Sequence, residues 1–227
     1  MQTLQQAVET YLRDCQAGGL RPKTLEVYEG NLTRFRQWAE ERGIATVEQI
    51  TTDVLREYMA ELREGRSAYT VHQHYRTLNT FFRWLVREGK LEDNPLVGMR
   101  QPRLPKKRIV PRLTLEQVKQ LLDVVRKTTA DPERNEAMVL LMVDSGLRVG
   151  EVVRLELGDL HLGEGEDGGY VLVRDGKGGK DREVPVSEMT AEALRVWLAV
   201  RSGDGQKVFV SKRGGPLTAN AVRCMLY

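Results

Sequence analysis

Residues 144–155, Asp-Ser-Gly-Leu-Arg-Val-Gly-Glu-Val-Val-Arg-Leu, set one arginine, Arg148, inside a sharply turned and otherwise apolar segment. The apolar run 137–143 reads as a buried helix, Ser145-Gly146 breaks it, and residues 149–155 resume a helical pattern with Val152 and Leu155 on one face. This spacing predicts Arg148 at a helix-turn-helix junction, not on an open surface. A guanidinium there needs partners, because a buried charge without them is costly, and Glu151 lies three residues on, within helical reach. Two readings follow. The pair is a structural ion pair that fixes the turn, which is the commoner case. Or Glu151 holds the guanidinium fork so that its remaining donors face a phosphate.

Downstream, residues 170–174 alternate like a strand, 175–181 form a turn, and 182–186 alternate again. The pattern predicts a β-hairpin with Lys177 and Lys180 at a glycine-rich tip, where the backbone can approach a ligand closely. The segment Ser145-Gly146-Leu147-Arg148-x-x-Glu151, followed by Gly176-Lys177-Gly178-x-Lys180 and then Arg182-x-Val184-Pro185, resembles the first half of the catalytic domain of tyrosine recombinases, the phage integrase and Xer group. Order and spacing of both motifs match. The resemblance implies Arg148 as the first catalytic arginine and Lys177 as the mobile hairpin lysine, with Lys180 as the alternative and Glu151 in support.

It also implies site-specific DNA recombination: a tyrosine attacks, a 3′-phosphotyrosyl intermediate conserves the bond energy, and no ATP, metal or other cofactor is needed. The chemistry suits the residues. Charge builds on the non-bridging oxygens, where a permanently charged guanidinium stabilises the transition state more than the ground state. A lysine on a flexible tip could protonate the departing 5′ oxygen.

The elements that must position these groups are mainly helical. Leu4, Val8, Tyr11 and Cys15, or Leu12 beside them, recur at helical steps up to Gly18-Gly19; Leu25, Tyr28, Leu32, Phe35 and Ala39 mark a second helix; a third runs from Thr51 or Thr52 to Arg63. The fourth steps through Ala68, Val71, Tyr75, Leu78, Phe82 and Leu85 to Gly89. Its other side shows His72, Arg76, Arg83 and Arg87 with no acid between Ser67 and Arg87. For one helix a solvated charged face is the ordinary reading. The missing acids make a phosphate-facing role more plausible here than on the acid-rich third helix.

Residues 100–112 hold six basic residues, no acid and three prolines, which reads as an extended, stiffened linker. Arg103, Lys106, Lys107 and Arg108 belong to it, as a basic strap that could follow a duplex. Beyond it, Thr114 and Gln117 form a capping box, Asp131-Pro132 caps the helix leading to Arg148, residues 188–201 read as a helix with Leu194, Trp197 and Leu198 buried, 208–210 as a short strand, and Thr218 as the cap of a last helix.

The expected fold is mainly α with a small antiparallel β-sheet. The resemblance implies a four-helix, SAM-like core-binding domain at 1–98, a linker at 99–112, and the first part of an α+β catalytic domain at 113–227, the lobes of the family forming a clamp. Its implied partner is double-stranded DNA, with self-association on DNA, as tetramers in the family, linked by the C-terminal part.

Composition is compatible with this without requiring it. Charge is nearly balanced, 35 basic minus 32 acidic giving +3. Arginine outnumbers lysine 25 to 10, which suits phosphate contact. Cys15 and Cys224 stand in no metal or disulfide pattern, and the longest apolar run, 137–143, is far short of the ~20 residues that span a bilayer. The expectation is a soluble, cytoplasmic protein with no metal site and no membrane partner. A nucleotide-binding loop is excluded at 176–180, since neither lysine precedes Ser or Thr and Arg174 stands five residues before Gly179.

The family pattern continues with a His-x-x-Arg box, a further His or Trp, and the tyrosine nucleophile. Here His72, His74 and His161 are followed three residues on by Tyr75, Thr77 and Glu164, and Tyr227 falls in the helix before the box, where packing is its expected role. The sequence is therefore expected to cover part of a recombinase and to bind DNA without cutting it, the alternative being a non-catalytic DNA-binding remnant or regulator.

Overall fold

In the computed structural model, residues 2–105, 111–128, 130–163, 168–176 and 179–226 are described. The chain divides into two compact units, Met1–Ile109 and Val110–Tyr227.

The first unit is built from α1 (Leu4–Ala17), α2 (Pro22–Glu40), α3 (Thr52–Glu64) and α4 (Ala68–Arg87). Each start has a local cause. Thr3, Thr51 and Ser67 accept amide hydrogen bonds at the N-caps of α1, α3 and α4, and Pro22 opens α2 with its φ already set. Leu32, Phe35, Leu78, Phe82 and Leu85 are fully buried with Phe81, so the centres of the seams read from spacing form the core, while Cys15, Leu25 and Tyr28 are half-buried at its edge and Ala68 is exposed. Aromatic edges lock it, with Tyr11 and Phe81 centred 5.4 Å apart and Phe35 and Tyr58 5.0 Å apart. Burial of each such ring contributes about 2–3 kcal/mol. His74 belongs to this core: it bonds the Tyr58 hydroxyl at 2.9 Å, and burial, then Arg34 and Arg66, pull its pKa down to about 4.

Residues 99–102 run back along α4. Tyr75 donates to the Met99 carbonyl at 3.1 Å and the His72 ring lies 3.0 Å from the Pro102 carbonyl.

In the second unit α5 (Leu115–Thr128) and α6 (Pro132–Asp144) pair, and α8 (Glu188–Val200) packs on α6. Between them come the single turn α7 (Val149–Val152) and a three-stranded antiparallel sheet, β1 (Leu160–Leu162), β2 (Gly169–Val173) and β3 (Arg182–Pro185), in that order. The last helix, α9 (Ala219–Leu226), is capped by Thr218. Val171, Ala137, Leu141, Leu194 and Phe209 are buried at the centre. Among the described residues no helix is long and apolar enough to cross a membrane.

The structure corrects further expectations. Helix does not continue to Leu155; α7 ends at Val152, because the chain then turns to give Leu155 and Leu157 backbone bonds to Val208 and Gln206. Residues 208–210 are buried but not a continuous strand: pairing stops at isolated antiparallel bridges, Lys207 with Glu156 and Val210 with Pro216, and the Val208 carbonyl between them takes the Trp197 indole. Asp131 stands at the N-cap of α6, but its carboxylate pairs with Arg134 at 2.8 Å instead of capping. Leu198 is half-buried, not buried. The hairpin also gains a third strand, β1, as its neighbour.

Candidate nucleic-acid interface

The α6–α7 junction explains how an apolar segment presents a cation. Gly146 adopts φ 63°, a left-handed conformation that reverses the chain at no side-chain cost. Leu147 then enters the core at 3% exposure, and Arg148 emerges on the other side with 64% of its side chain exposed. Arg148 is thus not enclosed, contrary to the expectation from its neighbours. The buried member of the pair is Glu151, whose side chain is 4% exposed.

Glu151 collects four hydrogen bonds. It accepts the Arg148 amide at 2.8 Å and one Arg148 guanidinium nitrogen at 3.1 Å. The other two come from Arg182, the first residue of β3, whose Nη1 and Nη2 reach Oε1 and Oε2 at 3.1 and 3.0 Å. The bonds from Arg182 chiefly, aided by the Arg148 amide and guanidinium, hold the Glu151 pKa at about 2 although burial pushes it upward. One carboxylate between two guanidinium groups leaves a local charge of +1. Only one of the five N–H donors of Arg148 is used by Glu151, so the fork can hold an anion without losing its support.

Asp144 sets the other end of the turn. Its Oδ2 accepts the Ser187 amide at 2.8 Å and the Thr190 hydroxyl at 2.7 Å, which ties the end of α6 to the start of α8. Sequence reading missed both Arg182 and Asp144 in these roles, since each acts on residues more than thirty positions away.

The hairpin is registered by Val171 opposite Val184 and Val173 opposite Arg182. Its neck closes through the Gly176 amide on the Lys180 carbonyl at 3.1 Å and the Asp175 amide on Asp181 at 2.9 Å. Lys180 is exposed at this neck. Lys177 lies outside the described residues, as do Lys106, Lys107, Arg108 and Tyr227.

In the first unit the structure separates the α4 stripe into two kinds of residue. Arg76 and Arg83 are exposed and have no ion-pair partner among the described residues. Arg87 is paired with Asp14 and Glu88, each at 3.3 Å, and His72 has one ring nitrogen against Pro102 and the other against Gln101 at 3.3 Å. Arg76 lines a groove between α2 and α4 with Lys23, Gln73 and Thr80. Arg103 is exposed. Among the described residues no group of His, Cys, Asp and Glu could hold a metal ion.

Two family profiles cover these units: one described as phage integrase family matches residues 111–226, and one described as phage integrase, N-terminal SAM-like domain matches 8–89. The tyrosine recombinase XerC of Alcanivorax borkumensis is 34% identical over 227 residues, covering 96% of this chain and 71% of that protein. The chain belongs to the phage integrase family of tyrosine recombinases. XerC of Actinobacillus pleuropneumoniae is a tyrosine recombinase 32% identical over 89% of this chain and 65% of its own length. The chain spans about two thirds of the length of these XerC relatives.

The same fold occurs in a lambda integrase tetramer bound to a Holliday junction, with TM-score 0.77 and 22% identity over 100% of this chain and 65% of that one. It occurs again in the Tn1549 transposon integrase in complex with transposon right end DNA, with TM-score 0.71 and 19% identity over 97% of this chain and 75% of that one. The mainly helical architecture with a small antiparallel sheet, read from the sequence, is that of these integrases.

Proposed function

We propose that this chain binds double-stranded DNA and belongs to a site-specific recombination activity, and that its 227 residues by themselves bind DNA without cleaving it. The observation that carries the reading is the buried Glu151 carboxylate, which presents the exposed, incompletely used guanidinium of Arg148 beside a second one. Such a fork suits a phosphodiester, whose two non-bridging oxygens match its spacing.

In this reading Arg148 stabilises charge on the phosphate during attack by a tyrosine. Lys177, or Lys180 in its place, gives its proton to the leaving 5′ oxygen. The DNA backbone is followed by Arg76 and Arg83 on α4 and by Arg103, Lys106, Lys107 and Arg108 in the linker, while His72 and Arg87 serve to anchor the linker and α1. We assign 1–98 to core binding, 99–112 to the linker and 113–227 to the catalytic domain. The lambda integrase and Tn1549 integrase structures hold DNA, which supports the partner. A lambda integrase tetramer on a Holliday junction supports self-association on DNA as the arrangement to test.

The absence of any His-x-x-Arg among residues 1–227 favours binding without cleavage. The alternative reading is a non-catalytic DNA-binding remnant or regulator. Incubation of the chain with nicked suicide duplexes is expected to give a gel shift and no covalent adduct. A trapped protein–DNA adduct would show that a nucleophile is present and overturn the binding-only part. Absent or salt-independent DNA binding would remove the whole reading.

A further inference from the structure

Glu151 joins parts of the chain that are far apart in sequence. It sits on α7, holds the backbone and guanidinium of Arg148 at the start of that turn, and receives both prongs of Arg182 from β3. Two parallel bonds fix direction as well as distance, which a single contact does not. Arg182 also abuts the hairpin neck: a Cβ added at Gly176 would stand 2.8 Å from its Nη1. One guanidinium therefore holds the carboxylate that supports Arg148 and lies close against the hairpin neck at Gly176, whose amide bonds the Lys180 carbonyl.

We infer that Arg182 is a positioning residue, which couples the hairpin neck at Gly176 and Lys180 to Arg148 through Glu151, so that neck and arginine meet one phosphate as a unit. The inference rests on the DNA-binding reading for what the site holds, and on the Arg182–Glu151 contact alone for the coupling. A lysine at 182 keeps the charge but lacks the fork, so Arg182→Lys separates geometry from electrostatics.

The free chain gives the first test. The amides of Gly176 and Arg148 end on the Lys180 carbonyl and on Glu151. With Arg182→Lys their hydrogen exchange is expected to rise about tenfold, the ratio for losing one net charge-assisted hydrogen bond. Amides inside α8 should change by less than about twofold, because only local opening is affected. No change at Gly176 and Arg148, or an equal rise through α8, overturns the coupling and leaves Arg182 a fold residue or a bystander.

A fluorescent 30-base-pair duplex gives the second. Arg182→Lys is expected to weaken binding about threefold or more in the wild-type background and to have no further effect beside Glu151→Gln, whereas Arg76→Ala weakens both backgrounds equally. Equal losses from Arg182→Lys in both backgrounds would make it a direct phosphate contact and sink the inference. A wild-type chain that fails to bind DNA sinks the proposed function, and the exchange measurement then decides the coupling.

Discussion

Glu151→Gln is expected to destabilise the second unit by about 3 kcal/mol at pH 7, the low end of the range for removing one partner of a buried ion pair. The low end applies because the arginines are 64% and 37% exposed and can rehydrate, whereas Glu151 itself is enclosed. A glutamine keeps one acceptor but turns an amide nitrogen toward donors, and since each oxygen accepts two of the four bonds, two of them become repulsions. Acid should reveal the same group. The Glu151 pKa lies near 2 in the folded chain against an ordinary 4.5, so its stabilisation is complete above about pH 4.5 and is lost as pH falls toward 2. Urea unfolding followed by circular dichroism should show a wild-type advantage over the variant that is largest at neutral pH and shrinks below pH 4.5. An advantage that stays constant from neutral pH to pH 3 would show that the carboxylate is not held ionised by its arginines.

Gly169→Ala is the second large effect. Gly169 has φ +94°, and a Cβ there would lie 2.2 Å from the His161 carbonyl and 2.6 Å from the Gly163 amide, both backbone atoms that cannot swing aside. Its own carbonyl accepts the Val186 amide at 3.0 Å, so the residue is pinned from the other strand as well. Left-handed strain and overpacking together are expected to cost about 3–4 kcal/mol, enough to lower the melting temperature by ten degrees or more. Gly30→Ala is the contrast. Gly30 lies within α2 with open space around it, and alanine there should stabilise by up to about 1 kcal/mol. Thermal melts that rank the two variants equally would contradict the close strand approach.

Much of this was legible in the sequence, for reasons particular residues make plain. Leu78, Phe82 and Leu85 reach the core because three- and four-residue spacing is a local property, and the caps at Thr114 and Thr218 are short-range as well. The Arg148–Glu151 pair follows from the same local rule. What was misjudged depends on where the chain goes next. Apolar neighbours suggested an enclosed Arg148, yet only Leu147 turns inward once Gly146 reverses the backbone. Arg182 was visible as part of a motif, but its role needs the Val173–Arg182 register, which brings β3 against α7 across thirty-one positions. β1 spans three residues, too few for an alternating pattern, and the apolar segment 208–210 resembles a strand until its backbone partners are known. On α4 the arginine stripe was visible, but Asp14, seventy-three positions from Arg87, decides which arginines stay unpaired.

The salt dependence of duplex binding tests most directly whether the supported guanidinium at the α6–α7 turn faces a DNA phosphate. Anisotropy titrations of a 30-base-pair duplex between 50 and 200 mM salt, comparing the wild-type chain with Arg148→Ala, should give linear plots of log affinity against log salt. Loss of one phosphate contact is expected to reduce the slope by about 1. An Arg148→Ala chain with the wild-type slope and affinity would contradict the account.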